Sequence, residues 1–165
     1  MRTIKFLLLA LFSIVSVSLS AQATAEQKKF MSDIMSFLRE EGYVPSYDSD
    51  GDIRFKLEGT SYWIIVSEGE GIDPFFVILG RSGYTLEGDN AYSYAPSVLA
   101  CNDITGDKKA AKLYCTESVV SPSAQFFVSG ITEFKKVYPR YMSCLKTVFN
   151  AFEDKYYEYE KQKTN

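Results

Sequence analysis

The stretch "SYDSDGDIRFKLEG", Ser46 to Gly59, decides how the rest of the chain is read. Its second half alternates strictly. Ile53, Phe55 and Leu57 are apolar, and Asp52, Arg54 and Lys56 between them are charged. A period of two places the first set on one face of a strand and the second on the other. Its first half is acidic around one glycine, which admits two readings: a calcium loop or a sharp turn. An EF-hand loop needs oxygen ligands at its first, third and fifth positions, Gly at the sixth and a bidentate Glu at the twelfth. Counted from Ser46, Asp48, Asp50, Gly51 and Ile53 fit the third, fifth, sixth and eighth positions. The first is Ser and the twelfth is Leu57, so the bidentate ligand is missing. Asp50-Gly51 is a preferred pair for a two-residue hairpin connection. The stretch therefore reads as a hairpin, with Val44–Asp48 and Asp52–Leu57 as its strands.

Two more strands follow. "TSYWIIVSE" (Thr60 to Glu68) comes after Glu58-Gly59, and "DPFFVILG" (Asp73 to Gly80) after Gly69-Glu70-Gly71-Ile72. Connections this short make the strands antiparallel neighbours. Both runs are nearly continuously apolar, as in strands covered on both faces. In a meander, alternate turns share one end of the sheet. That places Asp48, Asp50 and Asp52 near Glu68, Glu70 and Asp73, a set fit to hold a calcium ion weakly. Acidic solvated turns are the plainer account of the same residues.

Outward from this centre the period is helical. Phe30, Ile34, Phe37 and Leu38 mark a helix from Thr24 to Gly42, with Thr24 and Gln27 as a capping box and Gly42 as the stop. Arg81 to Asn90 reads as a loop. Ala91 to Thr105 reads as a second helix with Val98, Leu99 and Ile104 facing inward. Lys108–Ser118 and Ser123–Gly130 read as strands joined by a turn near Ser121-Pro122. Thr132 caps a last helix whose apolar stripe runs from Phe134 to Tyr159. Pro139 interrupts that stripe, so the helix either kinks there or begins anew.

At the start of the chain, Arg2 and Lys5 precede the apolar run Phe6–Leu19, and Ala21-Gln22-Ala23 forms a small-residue exit. That pattern is a secretory signal peptide, with cleavage after Ala23 or, alternatively, Ala21. The run is short for a bilayer-spanning anchor. The expected division is therefore residues 1–23 as signal peptide and 24–165 as one α+β domain, periplasmic or secreted. Without Arg2 and Lys5 there are 16 basic and 21 acidic residues, which is no electrostatic footprint for nucleic acid.

The chain has no histidine, which removes Ser-His and Cys-His nucleophilic catalysis. Its three cysteines, Cys101, Cys115 and Cys144, form no C-x-x-C pattern. They read as small apolar core residues, with at most one internal disulfide open to them. Ser143 and Lys146 match S-x-x-K but lack the partner motifs of the penicillin-binding proteins. No catalytic residue and no cofactor is assigned. Tyr84, Tyr92 and Tyr94 surround the Arg81–Asn90 loop. They are candidate partner-binding residues or, more simply, caps on the sheet edge.

The order helix, meander, helix, strands, long helix resembles the YbjN-type bacterial domain, described as a sensory-transduction regulator, whose fold is shared with type III secretion chaperones. The resemblance is carried by Phe37–Val66, "DPFFVILG", "AKLYC" (Ala111–Cys115) and "QFFVSG" (Gln125–Gly130). It implies a non-enzymatic domain that often pairs with itself and binds other proteins. The expected function is binding of a protein or peptide. The alternatives are an envelope sensor of calcium or a small ligand, and a hydrolase using an Asp/Glu pair.

Overall fold

The computed structural model describes residues 23–70, 73–88 and 92–163; the expected signal peptide lies outside them. Helix α1 spans Ala25–Glu40. Thr24 Oγ1 accepts the Gln27 N–H and Gln27 Oε1 accepts the Thr24 N–H, completing the capping box. At the other end Gly42 takes φ +88°. Its N–H bonds to Arg39 O, and Tyr43 N–H bonds to Leu38 O. This is a Schellman stop, which a Cβ at Gly42 would oppose.

Strands β1 (Ser46–Tyr47), β2 (Ile53–Leu57), β3 (Thr60–Glu70) and β4 (Asp73–Arg81) form the antiparallel meander. The Glu58-Gly59 connection is the short hairpin expected, and the acidic turn is wider than expected. Glu58 and Gly59 both have positive φ, at 50° and 81°, so the two-residue primed hairpin lies there. At the acidic turn only Gly51 has positive φ. Asp48 N–H bonds to Asp52 O and Gly51 N–H to Asp48 O, so Ser49, Asp50 and Gly51 form a three-residue connection. Asp48 Oδ1 accepts the N–H groups of Asp50 and Asp52, a local bond that favours this wider turn.

After β4 comes β5 (Tyr84–Thr85), a short strand where a loop was expected. Helix α2 (Tyr94–Asp107) follows, then β6 (Lys112–Cys115), β7 (Val119–Val128) and helix α3 (Ile131–Lys163). Strand β7 is central. Its Phe75-to-Gly80 partners in β4 and its Tyr84–Thr85 partners in β5 share one edge, and β6 takes the other. Pro122 lies inside β7 opposite Leu113, not in a turn. The connection is Thr116–Ser118, where Thr116 Oγ1 accepts from Ser118 and Val119 N–H. Pro122 is tolerated because its missing N–H faces the gap between β4, last paired at Ser123, and β5, first paired at Val120.

Two helix expectations change. In α2 the inward residues are Pro96, Ser97, Ala100, Cys101 and Ile104, while Val98 and Leu99 are exposed. At α3, Thr132 sits inside the first turn. The Glu133 carboxylate caps from within by accepting the N–H and Oγ–H of Ser129, and these bonds hold it below the usual carboxylate range. Pro139 neither starts nor ends α3. It lies on the exposed side, where water can satisfy the carbonyl it leaves unpaired.

All three described helices lie on one face of the sheet. Phe30 of α1 stacks on Phe75 with ring centroids 4.1 Å apart, and Tyr141 of α3 stacks on Phe126 at 4.0 Å. Phe134 closes the centre against Phe30, Phe37, Phe126 and Tyr138. Arg81 ends β4 on this face, its guanidinium 3.6 Å from the Phe149 ring centroid. The architecture is α+β, an antiparallel sheet packed by helices on one side.

Candidate functional site, the uncovered sheet face

Register determines what the second face carries. One cross-strand row runs Arg54, Trp63, Gly80, Ser123, Lys112 through β2, β3, β4, β7 and β6. The next is Ile65, Ile78, Gln125, and the one after it Ser67, Phe76, Phe127. Trp63, Ile65, Phe76 and Ile78 are only half-buried, and Phe127 keeps 46% of its surface in solvent. Near-continuous apolar runs in β3 and β4 predicted cover on both faces; among the described residues only one face has it. Phe76 and Phe127 pack with their rings tilted, centroids 5.0 Å apart.

Gly80 gives this face its shape. A Cβ built there would meet the Trp63 indole at 2.3–2.5 Å, so the ring lies flat across the glycine backbone. The Arg54 guanidinium sits 5.4 Å from the Trp63 ring centroid, and its Nε donates to Asp48 Oδ2 at 2.6 Å. Arg54 holds the Asp48 carboxyl below its usual range, with help from the two backbone N–H groups. Burial raises Asp52 instead.

The face ends at an uncovered strand edge. Leu113 bonds through both its backbone groups to Thr105 Oγ1, so the Leu113–Pro122 pair exchanges no hydrogen bonds. The alternation then directs the backbone N–H and C=O of Ser121 and Ser123 to β6. Those of Gln125 and Phe127 point the same way, but β6 begins only at Lys112, opposite Ser123. Those four backbone groups therefore lie along an edge that no described strand occupies.

The acidic residues do not converge. The β2–β3 register puts Asp52 beside Ile65, so Glu68 lies three residues further along β3, about 10 Å away. Asp48 is spent on Arg54 and its own turn. No group of three or more His, Cys, Asp or Glu among the described residues is arranged to hold a metal ion. The side chain of Glu70 is outside those residues.

The three tyrosines separate. Tyr84 stacks on Phe149 at 4.4 Å and donates to Phe149 O, and burial beside Glu153 pushes its hydroxyl pKa up. Tyr92 packs edge-on to Tyr156 and donates to Glu153 Oε1, with the same direction and leading cause. Both belong to the packing of β5 and its following loop on α3. Tyr94 alone presents most of its ring, being 51% exposed.

Two of the open surface grooves differ in charge. One, of about 620 Å³, follows Gly42–Val44 and the Arg54–Lys56 end of β2 and carries no carboxylate. The other, about 490 Å³ between α2 and α3, contains Asp103, Asp107 and Asp154. There Asp103 accepts from Tyr159 and faces Lys155 at 3.9 Å, and Asp107 pairs with Lys108. No described helix is long and apolar enough to cross a membrane. The signal that could have pointed to the open face was the pairing of Trp63 with Gly80, which becomes visible only once the register is known. Compared with protein-family models, curated proteins and solved structures, the chain matches none.

Proposed function

We propose that this is an exported, non-catalytic domain, of the YbjN-type and secretion-chaperone-like kind that its sequence resembles, and that it binds an extended apolar segment of a partner protein. The observation that supports this most is the aromatic and aliphatic set Trp63, Ile65, Phe76, Ile78 and Phe127 beside the uncovered Gln125–Phe127 edge. An extended peptide added there would gain main-chain hydrogen bonds from the edge. Its alternate side chains would lie beside Gln125 and Phe127, with Phe76 packed behind Phe127 on β4. Exposed apolar surface of this kind is what partner sites use.

Trp63 is the only tryptophan in the chain, so its fluorescence reports on this face alone. The test is selection of peptides from a random display library on the wild-type protein. Expected are peptides with alternating apolar residues that blue-shift Trp63 emission. The Phe76→Ser/Phe127→Ser double variant should lose them while keeping its circular dichroism. Peptides held equally by the double variant, or an empty selection, would reject the reading.

A further inference from the structure

We infer that Cys101 and Cys115 are a dithiol pair built to close into a disulfide that ties α2 to β6. The hydrogen bonds of Thr105 carry the geometry. Its Oγ1 accepts the Leu113 N–H at 3.1 Å and donates to Leu113 O at 3.2 Å, fixing one point of the helix against one point of the strand. Cys101 lies four residues before Thr105, one helical turn or about 6 Å back along α2. Cys115 lies two residues after Leu113, about 6.6 Å along β6. The chain reverses between Asp107 and Lys112, so both steps run in the same direction and have nearly the same length. They bring the two cysteines side by side, as Thr105 and Leu113 are.

Side-chain direction agrees. Cys101 is buried among the inward residues of α2. Cys115 shares the inward face of β6 with buried Leu113, while Lys112 and Tyr114 point out. The two thiols influence each other's titration, and Cys115 Sγ donates to Thr116 O at 3.6 Å at the end of β6. Burial pushes the Cys101 thiol up to about 12 and raises Cys115 too, so neither is a reactive thiolate left standing on the surface. Cys144 is on α3 and takes no part.

The step is thiol–disulfide exchange with an external disulfide. Half-buried Cys115 gives its proton to solvent and attacks one external sulfur, releasing one external thiolate. Cys101 then loses its proton and attacks Cys115 Sγ in the mixed disulfide, releasing the second. Two protein thiols and one external disulfide become one internal disulfide and two external thiols. The external disulfide is the two-electron acceptor.

The test is equilibration of the protein with an oxidised and reduced glutathione mixture, acid quenching, denaturation and maleimide labelling. Of the three thiols, the wild type should keep one, and Cys144→Ser should keep none. Peptide mapping should find Cys101 joined to Cys115. Closing a loop of about 15 residues should raise the Tm of the oxidised form by about 5–10 °C over the reduced form. Cys115→Ser should abolish that rise, and its half-buried site tolerates the change if Cys101→Ser does not fold. Three labelled thiols under oxidising conditions, or a bridge that includes Cys144, would overturn the inference. A peptide-binding result of either sign on the open face leaves it unaffected.

Discussion

The two faces of the sheet are made by the same strands, one residue out of phase, and they meet opposite fates. Ile64, Val77, Leu79 and Phe126 lie under three helices; Trp63, Phe76, Ile78 and Phe127 are their immediate neighbours in sequence and lie under none. Both sets are apolar. Apolar residues in a strand therefore signal that a face is to be covered, and they do not say whether the cover comes from the same chain. On β2 the ambiguity does not arise, because Arg54 and Lys56 mark the outer face as solvated.

The largest test of this contrast is truncation of one phenylalanine on each side. Phe134→Ala should cost about 3–5 kcal/mol, because the ring is fully enclosed and helix and sheet cannot both collapse into the space. Phe127→Ala, a change of the same chemistry on the open face, should cost less than about 1 kcal/mol. Equilibrium urea unfolding measures both. Equal costs would mean that the second face is packed in solution and would remove the basis for a binding surface.

A smaller effect sharpens the same comparison within the open face. Gly80→Val places atoms where the Trp63 indole lies. The ring has to lift into water, at a cost of about 1–3 kcal/mol. The lone tryptophan should then emit further to the red and be quenched more readily by acrylamide. Unchanged emission would show that the indole does not rest on the glycine.

How much of this was legible depends on what each residue's neighbours are. Several local signals hold, although the Asp50-Gly51 turn and the Thr132 cap do not. The Thr24–Gln27 capping box, the Gly42 stop and the β2 alternation all act within a few residues, and all are present. Pro122 was misplaced because a proline in a strand is explained only by what lies beside it. Here that is the gap between β4 and β5. Val98 and Leu99 are apolar but exposed, because the small residues Ala100 and Cys101 let α2 lie close to β6 and α3. The acidic cluster failed on strand length. Because β3 outruns β2, Glu68 is carried away from the Asp48–Asp52 turn. Tyr84 and Tyr92 looked like a surface group because their partners on α3 are 60 or more residues away in sequence.

The smallest expected effect concerns the turn that borders both faces. Asp48→Asn keeps an oxygen to accept the Asp50 and Asp52 N–H groups but removes the charge that binds Arg54. Because the folded carboxyl is held below its ordinary value of 3.8, the ionised form is favoured by folding. That contribution is fully present above the unfolded value and is lost as pH falls through the lower, folded one. The wild type should therefore exceed the variant in stability at about pH 7, and the two unfolding curves should merge once the pH has fallen below the depressed folded value. High salt should narrow the gap at neutral pH, since Arg54 and, to a lesser degree, Asp48 remain open to solvent. Freed from Asp48, Arg54 should also lose its fixed place over Trp63, so the variant's tryptophan emission should shift slightly with no change in the core. A stability difference independent of pH would assign the turn to its hydrogen bonds alone and leave Arg54 as a mobile rim of the open face.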